Sequence, residues 1–161
     1  MDLRVKSVVE AVVFLGLVAV ALPFVASHWL RGGGPAPAVR MIGWVAVASG
    51  LALSLTCIRL FVRLGDGTQS PRQPPRRLVV AGPYKVVRNP MLLGVALVLL
   101  GEALAFASRG IALYALVFVV VTTVLMRTVE EPALRRRFGA EYEAYRDRVP
   151  RWLPRLPARS S

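Results

Sequence analysis

The chain has 161 residues, 55% of them hydrophobic, yet it carries 21 Lys and Arg against 9 Asp and Glu, for a formal net charge of +12. A soluble chain of this length cannot bury so large an apolar fraction in one core, and the charges here lie between and after long uncharged runs, as in membrane proteins. One cysteine (Cys57) and one histidine (His28) exclude an intrachain disulfide, a cysteine or histidine metal centre and the usual histidine-based catalytic sites. No GxGxxG, GxSxG or HExxH pattern occurs, and no nucleic-acid recognition module accompanies the basic charge.

Four apolar runs of about the length a bilayer requires follow in chain order: 8–27, 39–64, 91–108 and 110–129. The first reads as a retained anchor helix, because no small-residue cleavage site precedes His28. The Gly/Pro-rich stretch around Gly32–Gly34 reads as a flexible connector, and 65–75 as a loop without apolar periodicity. With the N-terminus inside, Arg63, Arg72, Arg76, Arg77, Lys85, Arg88 and the arginine-rich tail fall on one side, and only Arg31, Arg40 and Arg109 on the other. This asymmetry predicts four spans with both termini in the cytoplasm. Ser108-Arg109-Gly110 leaves so little connecting chain that the last two spans must form a tight antiparallel hairpin. Gly43, Ala46 and Gly50 on the second span would permit close helix packing.

After residue 129 the character changes. Leu134, Phe138, Tyr142, Tyr145 and Val149 recur at spacings of three and four, which predicts one amphipathic helix at the membrane surface, set off from the fourth span by a break at Pro132. The expected fold is therefore an all-α membrane protein: four transmembrane helices and a cytoplasmic amphipathic C-terminal helix, forming a single membrane domain over 1–161 with a cap from residue 130 onward.

Polar residues beyond what an anchor needs gather at three places. Asn89-Pro90 is a helix-start signal, with Asn as N-cap and Pro at the first helical position. It puts the positive end of the third span beside Arg88, an arrangement that attracts a carboxylate or phosphate. A well-capped helix with a snorkelling arginine would show the same residues. Glu130-Glu131 follow the fourth span, where two carboxylates can accept hydrogen bonds, face a cation, or simply be solvated. Tyr142, Tyr145, Arg146, Arg148 and Arg151 mix aromatics with guanidiniums, a combination that anchoring alone can also produce. Two acids lie within spans, Glu10 and Glu102. Glu102 is a candidate for lining a substrate path, pairing with a neighbouring helix or sitting protonated against a hydroxyl.

These pieces, in this order, resemble a known group. Gly82-Pro83-Tyr84-Lys85-Val86-Val87-Arg88-Asn89-Pro90-Met91-Leu92-Leu93-Gly94 is followed about 40 residues later by Glu130-Glu131. Then come Phe138-Gly139-Ala140-Glu141-Tyr142-Glu143-Ala144-Tyr145 and Val149-Pro150-Arg151-Trp152-Leu153-Pro154. The combination resembles the isoprenylcysteine carboxyl methyltransferase and phospholipid methyltransferase group over 78–154, about half the chain. The resemblance implies S-adenosylmethionine as cofactor, held between the inner ends of the last two spans and the C-terminal segment. Tyr84, Arg88, Asn89 and Pro90 would form the cradle, Glu130 and Glu131 match the group's paired acids, and Tyr142, Tyr145 and Arg151 match its tail motif.

Where the group carries Arg-His-Pro-x-Tyr, this chain has Asn89 for the histidine and Leu92 for the tyrosine. Asn89 can cap and donate a hydrogen bond but cannot act as acid or base near neutral pH. It stands with Glu102 as a candidate catalytic residue. Methyl transfer from a sulfonium needs alignment and desolvation more than proton transfer, so the loss is compatible with the chemistry. The implied acceptor is lipophilic: an isoprenoid thiol or carboxylate, or a lipid-like molecule entering from the bilayer of a bacterial inner membrane. A small proton-coupled transporter, a membrane reductase on a related scaffold and a noncatalytic membrane partner are the competing readings. No metal and no nucleic-acid partner is expected, and the oligomeric state is left open.

Overall fold

The computed structural model describes residues 34–64 and 78–153. The first predicted span with Glu10, the connector at Gly32 and Gly33, the 65–75 loop and the tail from Pro154 onward lie outside the described residues. Among those described, the chain is helical and holds no strand. Helix α1 spans Pro37–Leu64, α2 spans Pro90–Ala105, α3 spans Arg109–Leu125, α4 spans Glu131–Phe138 and α5 spans Ala140–Arg148.

Two helical runs are long and apolar enough to cross a membrane, Pro37–Phe61 and Arg109–Phe138. A core helix of a soluble protein would be mostly covered, whereas only 33% of the most apolar stretch of the first and 17% of that of the second is buried within the fold. Met41, Ile42 and Val45 on α1 and Leu113, Leu116 and Val120 on α3 stand exposed, which suits a hydrocarbon solvent and not water. The predicted 91–108 span is shorter than expected. Helix α2 has 16 residues, roughly 24 Å at the α-helical rise, and stops at Ala105.

What holds α2 is its seam with α1. Gly43, Val47, Gly50 and Ser54 on α1 face Gly94, Val98, Gly101 and Ala105 on α2, at the three-and-four spacing that keeps one side of a helix toward its partner. A Cβ on Gly50 would sit 2.5 Å from the Gly94 carbonyl oxygen, and one on Gly101 would sit 2.6 Å from that of Gly43. The two backbones therefore touch directly, the arrangement that gives apolar helices their dispersion contact where no hydrophobic driving force separates them from lipid. Gly43 and Gly50, expected to permit close packing, are spent on this contact within the chain. Val47, Val95, Val98 and Leu99 continue the seam into a core that also takes Ala115 and Phe118 of α3.

The expected tight hairpin is present. After α2 the chain reverses through Phe106 and Ala107, and Ser108 caps α3 by accepting the Ile111 N–H at 3.3 Å.

The end of the predicted 110–129 span differs from the expectation. No break occurs at Pro132: α3 runs through a π-helical turn, Met126–Glu130, straight into α4. The break falls instead at Gly139, whose φ of 51° and ψ of −125° suit glycine alone. The single amphipathic helix expected after residue 129 is thus two short helices. Its apolar stripe survives the kink, because Tyr142, Tyr145 and Val149 bury together against Leu78, Leu134 and Phe138.

Candidate functional site

The segment leading into α2 is fixed from both sides. Gly82, Pro83, Tyr84 and Lys85 form a 3-10 turn. Gly82 has φ of 52° and lies so near Leu60 that a Cβ would approach its Cδ1 to 2.9 Å, so glycine is required there. The turn drives the Tyr84 ring into a pocket with Cys57, Ile58, Val79 and Met91, edge-on to Phe61 at 5.4 Å. From the other side, the buried Tyr145 hydroxyl donates to the Tyr84 carbonyl at 2.7 Å. Burial pushes both phenols above their ordinary range, with the Cys57 thiol adding to the effect at Tyr84. Tyr84 and Tyr145 form a neutral bracket joining α1, the α2 entry and α5.

Next to the bracket the C-terminal segment is strapped across the start of α2. The Arg88 N–H donates to the Pro150 carbonyl at 2.8 Å and the Asn89 N–H to the Arg151 carbonyl at 3.3 Å. This brings the Arg151 and Arg88 side chains to the same carboxylate. Arg151 grips Glu131 with two bonds, Nε to Oε1 and Nη2 to Oε2, each 2.8 Å. Arg88 Nη1 reaches Glu131 Oε1 at 3.1 Å and the Tyr142 hydroxyl at 3.3 Å. The Arg88, Glu131 and Arg151 side chains are only 11%, 13% and 20% exposed, so these charges see little solvent screening. Burial, and then the Glu131 charge, raise the Tyr142 phenol, with Arg88 opposing them.

Three polar groups in this neighbourhood are uncommitted. Arg88 Nε is buried without a hydrogen-bond partner. Asn89 occupies the N-cap position, with Pro90 buried behind it at the first helical position, but its side chain makes no capping bond. Glu130 is exposed and makes no hydrogen bond or ion pair among the described residues. Crowding by the surrounding chain, and then the charge of Glu131, raise the Glu130 carboxyl above the usual carboxylate range. A buried donor, a free amide and a carboxylate held back from ionising are groups that a zwitterionic, cationic ligand can use.

Glu102 is not part of this cluster. It lies 13 residues beyond Asn89 on the same helix, roughly 20 Å along the axis. Its Oε2 is buried and unpartnered there. Among the described residues no His/Cys/Asp/Glu group is arranged to hold a metal. The fold brings Arg88, Glu131, Tyr142 and Arg151, all named from the sequence, into contact, while the sequence reading treated Glu130 and Glu131 as equivalents. Pro132, read there as a break, lies inside the continuous rod that carries both acids.

Fold and cluster together define a helical membrane scaffold with a polar site built where two of its helices meet a C-terminal cap. The chain belongs to the phospholipid methyltransferase family, whose model matches residues 39–141, nearly two thirds of its length. Methyl transfer, and not transport or nicotinamide reduction, is the class of chemistry this membership carries. The chain is also similar to methanethiol S-methyltransferase 2 of Bradyrhizobium diazoefficiens, 41% identical over 76 residues. That stretch is 47% of this chain and 28% of the relative, so the match spans under a third of the relative's length. No solved structure matches the chain.

Proposed function

We propose that this protein is an integral membrane methyltransferase that moves a methyl group from S-adenosylmethionine to a lipophilic acceptor, at a site between the inner ends of α2 and α3 and the C-terminal cap. The observation that carries the reading is the division of the polar cluster. Glu131 is saturated by Arg88 and Arg151, while Glu130, Arg88 Nε and the Asn89 amide are left with unspent capacity beside it.

These groups fit the cofactor's charges. Glu130 would answer its positive charge or its hydroxyl groups, and Arg88 Nε, Asn89 and the N-terminus of α2 its carboxylate. When bound, the cofactor supplies a methyl group already activated on a sulfonium. The protein's part is then to bind, align and exclude water. Arg151 and Tyr142 hold Glu131 and Arg88 in place, and the Tyr84–Tyr145 bracket holds the α2 entry. Asn89, in the position of the family's histidine, leaves the acceptor to arrive already nucleophilic, as a thiolate or carboxylate does. A thiol is the first acceptor to try, given the name of the relative.

The topology that serves this chemistry has four spans, both termini in the cytoplasm of a bacterial inner membrane, and one membrane domain over 1–161. Soluble cofactor enters from the cytoplasm and the acceptor from between helices.

The test is calorimetric binding of S-adenosylmethionine and S-adenosylhomocysteine to detergent-purified protein, with labelled-methyl transfer to a panel of hydrophobic thiols, carboxylates and lipids. Binding by the wild type, weakened about tenfold or more in Glu130→Gln and in Arg88→Ala, is the expected result. Folded protein that binds neither compound would overturn the reading.

A further inference from the structure

The helical rod that carries the two acids is not regular, and its irregularity decides which acid does what. In the turn Met126–Glu130 the hydrogen bonds run five residues back instead of four, and the Glu131 N–H donates to the Met126 carbonyl. The cause lies one residue on. Pro132 has no N–H to offer, and in a regular α-helix its ring would press against the Thr128 carbonyl. A π-helical turn relieves that pressure by widening, and in doing so takes one extra residue into the rod.

The rod is widened, not broken. Leu125, Glu130 and Glu131 all keep right-handed helical dihedrals, and the Thr128 hydroxyl still donates to the Val124 carbonyl at 2.9 Å. Rotation is therefore transmitted from α3 to α4. One extra residue at 3.6 residues per turn shifts everything beyond it by about 100° relative to a continuous α-helix. In the continuous helix, the place now held by Glu131 would be held by Glu130, and Glu131 would turn away.

We propose that Pro132 is a positioning residue: through the π-helical turn it selects Glu131 as the partner of Arg88 and Arg151 and leaves Glu130 for the cofactor. The second half of that statement rests on the function proposed above; the first half stands on the ion-pair geometry alone. Twin glutamates make the register consequential. Either carboxylate could satisfy the two guanidiniums, but the same shift would put Ala133 and Arg137 where Leu134 and Phe138 now pack, so the exchange comes with a weakened apolar stripe.

The experiment places Glu130→Gln and Glu131→Gln in the wild type and in a Pro132→Ala background, reading thermal midpoint and S-adenosylhomocysteine affinity for each. In the wild type, Glu131→Gln lowers the midpoint and Glu130→Gln weakens binding about tenfold or more. In Pro132→Ala the assignments exchange, so that Glu130→Gln now lowers the midpoint. Deleting Thr128 together with Pro132→Ala removes the inserted residue from the rod and restores the wild-type assignment.

If each acid keeps its wild-type role in Pro132→Ala, the proposal is wrong, while wild-type affinity and its dependence on Glu130 leave the functional reading standing. If the wild type binds no cofactor, that reading fails and the midpoints still decide the register. Should Pro132→Ala alone fail to fold, a folded deletion variant with the wild-type assignment supports the proposal. A deletion variant that also fails to fold overturns it.

Discussion

The α1–α2 seam and the polar cap solve the same problem, holding helices in one register, with opposite chemistry. Among the described residues no side-chain hydrogen bond crosses the seam, and even the buried Ser54 hydroxyl finds no partner there. The seam works because Gly43, Gly50, Gly94 and Gly101 remove every atom that would keep the backbones apart. The cap joins its elements through one carboxylate, two guanidiniums and two backbone bonds across the α2 entry. A glycine seam tolerates no added volume but is indifferent to pH. A charged cap tolerates changes of volume but answers to every change of charge. The helix pair is thus rigid by shape, and the cap, where the proposed cofactor site lies, is held by groups a charged ligand can address.

The largest expected effect falls on the seam. Gly50→Leu drives a side chain into the Gly94 carbonyl and Val98, and because the obstacle is backbone, relief requires α2 to move away. The expected cost is about 3 kcal/mol or more. It should appear in detergent as loss of the folded state, with no change in its pH dependence. A Gly50→Leu protein as stable as the wild type would mean that the seam is not what holds α2.

Next is Glu131→Gln, which leaves Arg88 and Arg151 facing each other with little solvent to screen them. Breaking one member of so enclosed a cluster should cost about 2–4 kcal/mol. Unlike the seam variant, it should be partly rescued by Arg151→Gln, which removes one of the stranded charges. A double variant no more stable than the single one would show that the two groups are not coupled, and the description of the cap as charge-held would fail.

How far each region could be read from the sequence follows from the same contrast. Apolar run length gave the helices, and the three-and-four recurrence of Leu134, Phe138, Tyr142, Tyr145 and Val149 gave the cap's buried stripe, because periodicity records which side of a helix is covered. The hairpin at Ser108 followed from the shortness of the connection. The seam was only half visible: Gly43 and Gly50 were noticeable on α1, but nothing in a one-dimensional reading pairs them with Gly94 and Gly101. The cap's residues were found by resemblance and its geometry was not. Pro132 reads as a break by ordinary helix rules, whereas the rod continues through a widened turn just before it and breaks only at Gly139. The backbone bonds from Arg88 and Asn89 to Pro150 and Arg151 carry no side-chain signature at all.

The smallest expected effect separates the two glutamates. Glu130 is raised by crowding and by the Glu131 charge, so the fold favours its neutral form. A raised acid contributes stability below its unfolded value, near pH 4.3 for a free glutamate, and loses that contribution as pH rises through the folded value. Wild-type protein should therefore lose a little stability on going from acid toward neutral pH. Glu130→Gln should remove that part of the pH dependence and leave the neutral-pH midpoint unchanged or slightly raised. Cofactor affinity should run the other way. A cationic ligand favours the ionised carboxylate, so wild-type affinity should climb as pH rises through the Glu130 value, and Glu130→Gln should be both weaker and flatter. Opposite slopes for stability and affinity, both removed by one substitution, would distinguish a carboxylate kept for a ligand from one committed to the fold. Parallel slopes, or slopes that survive Glu130→Gln, would place the titrating group elsewhere and leave Glu130 a solvated helix residue.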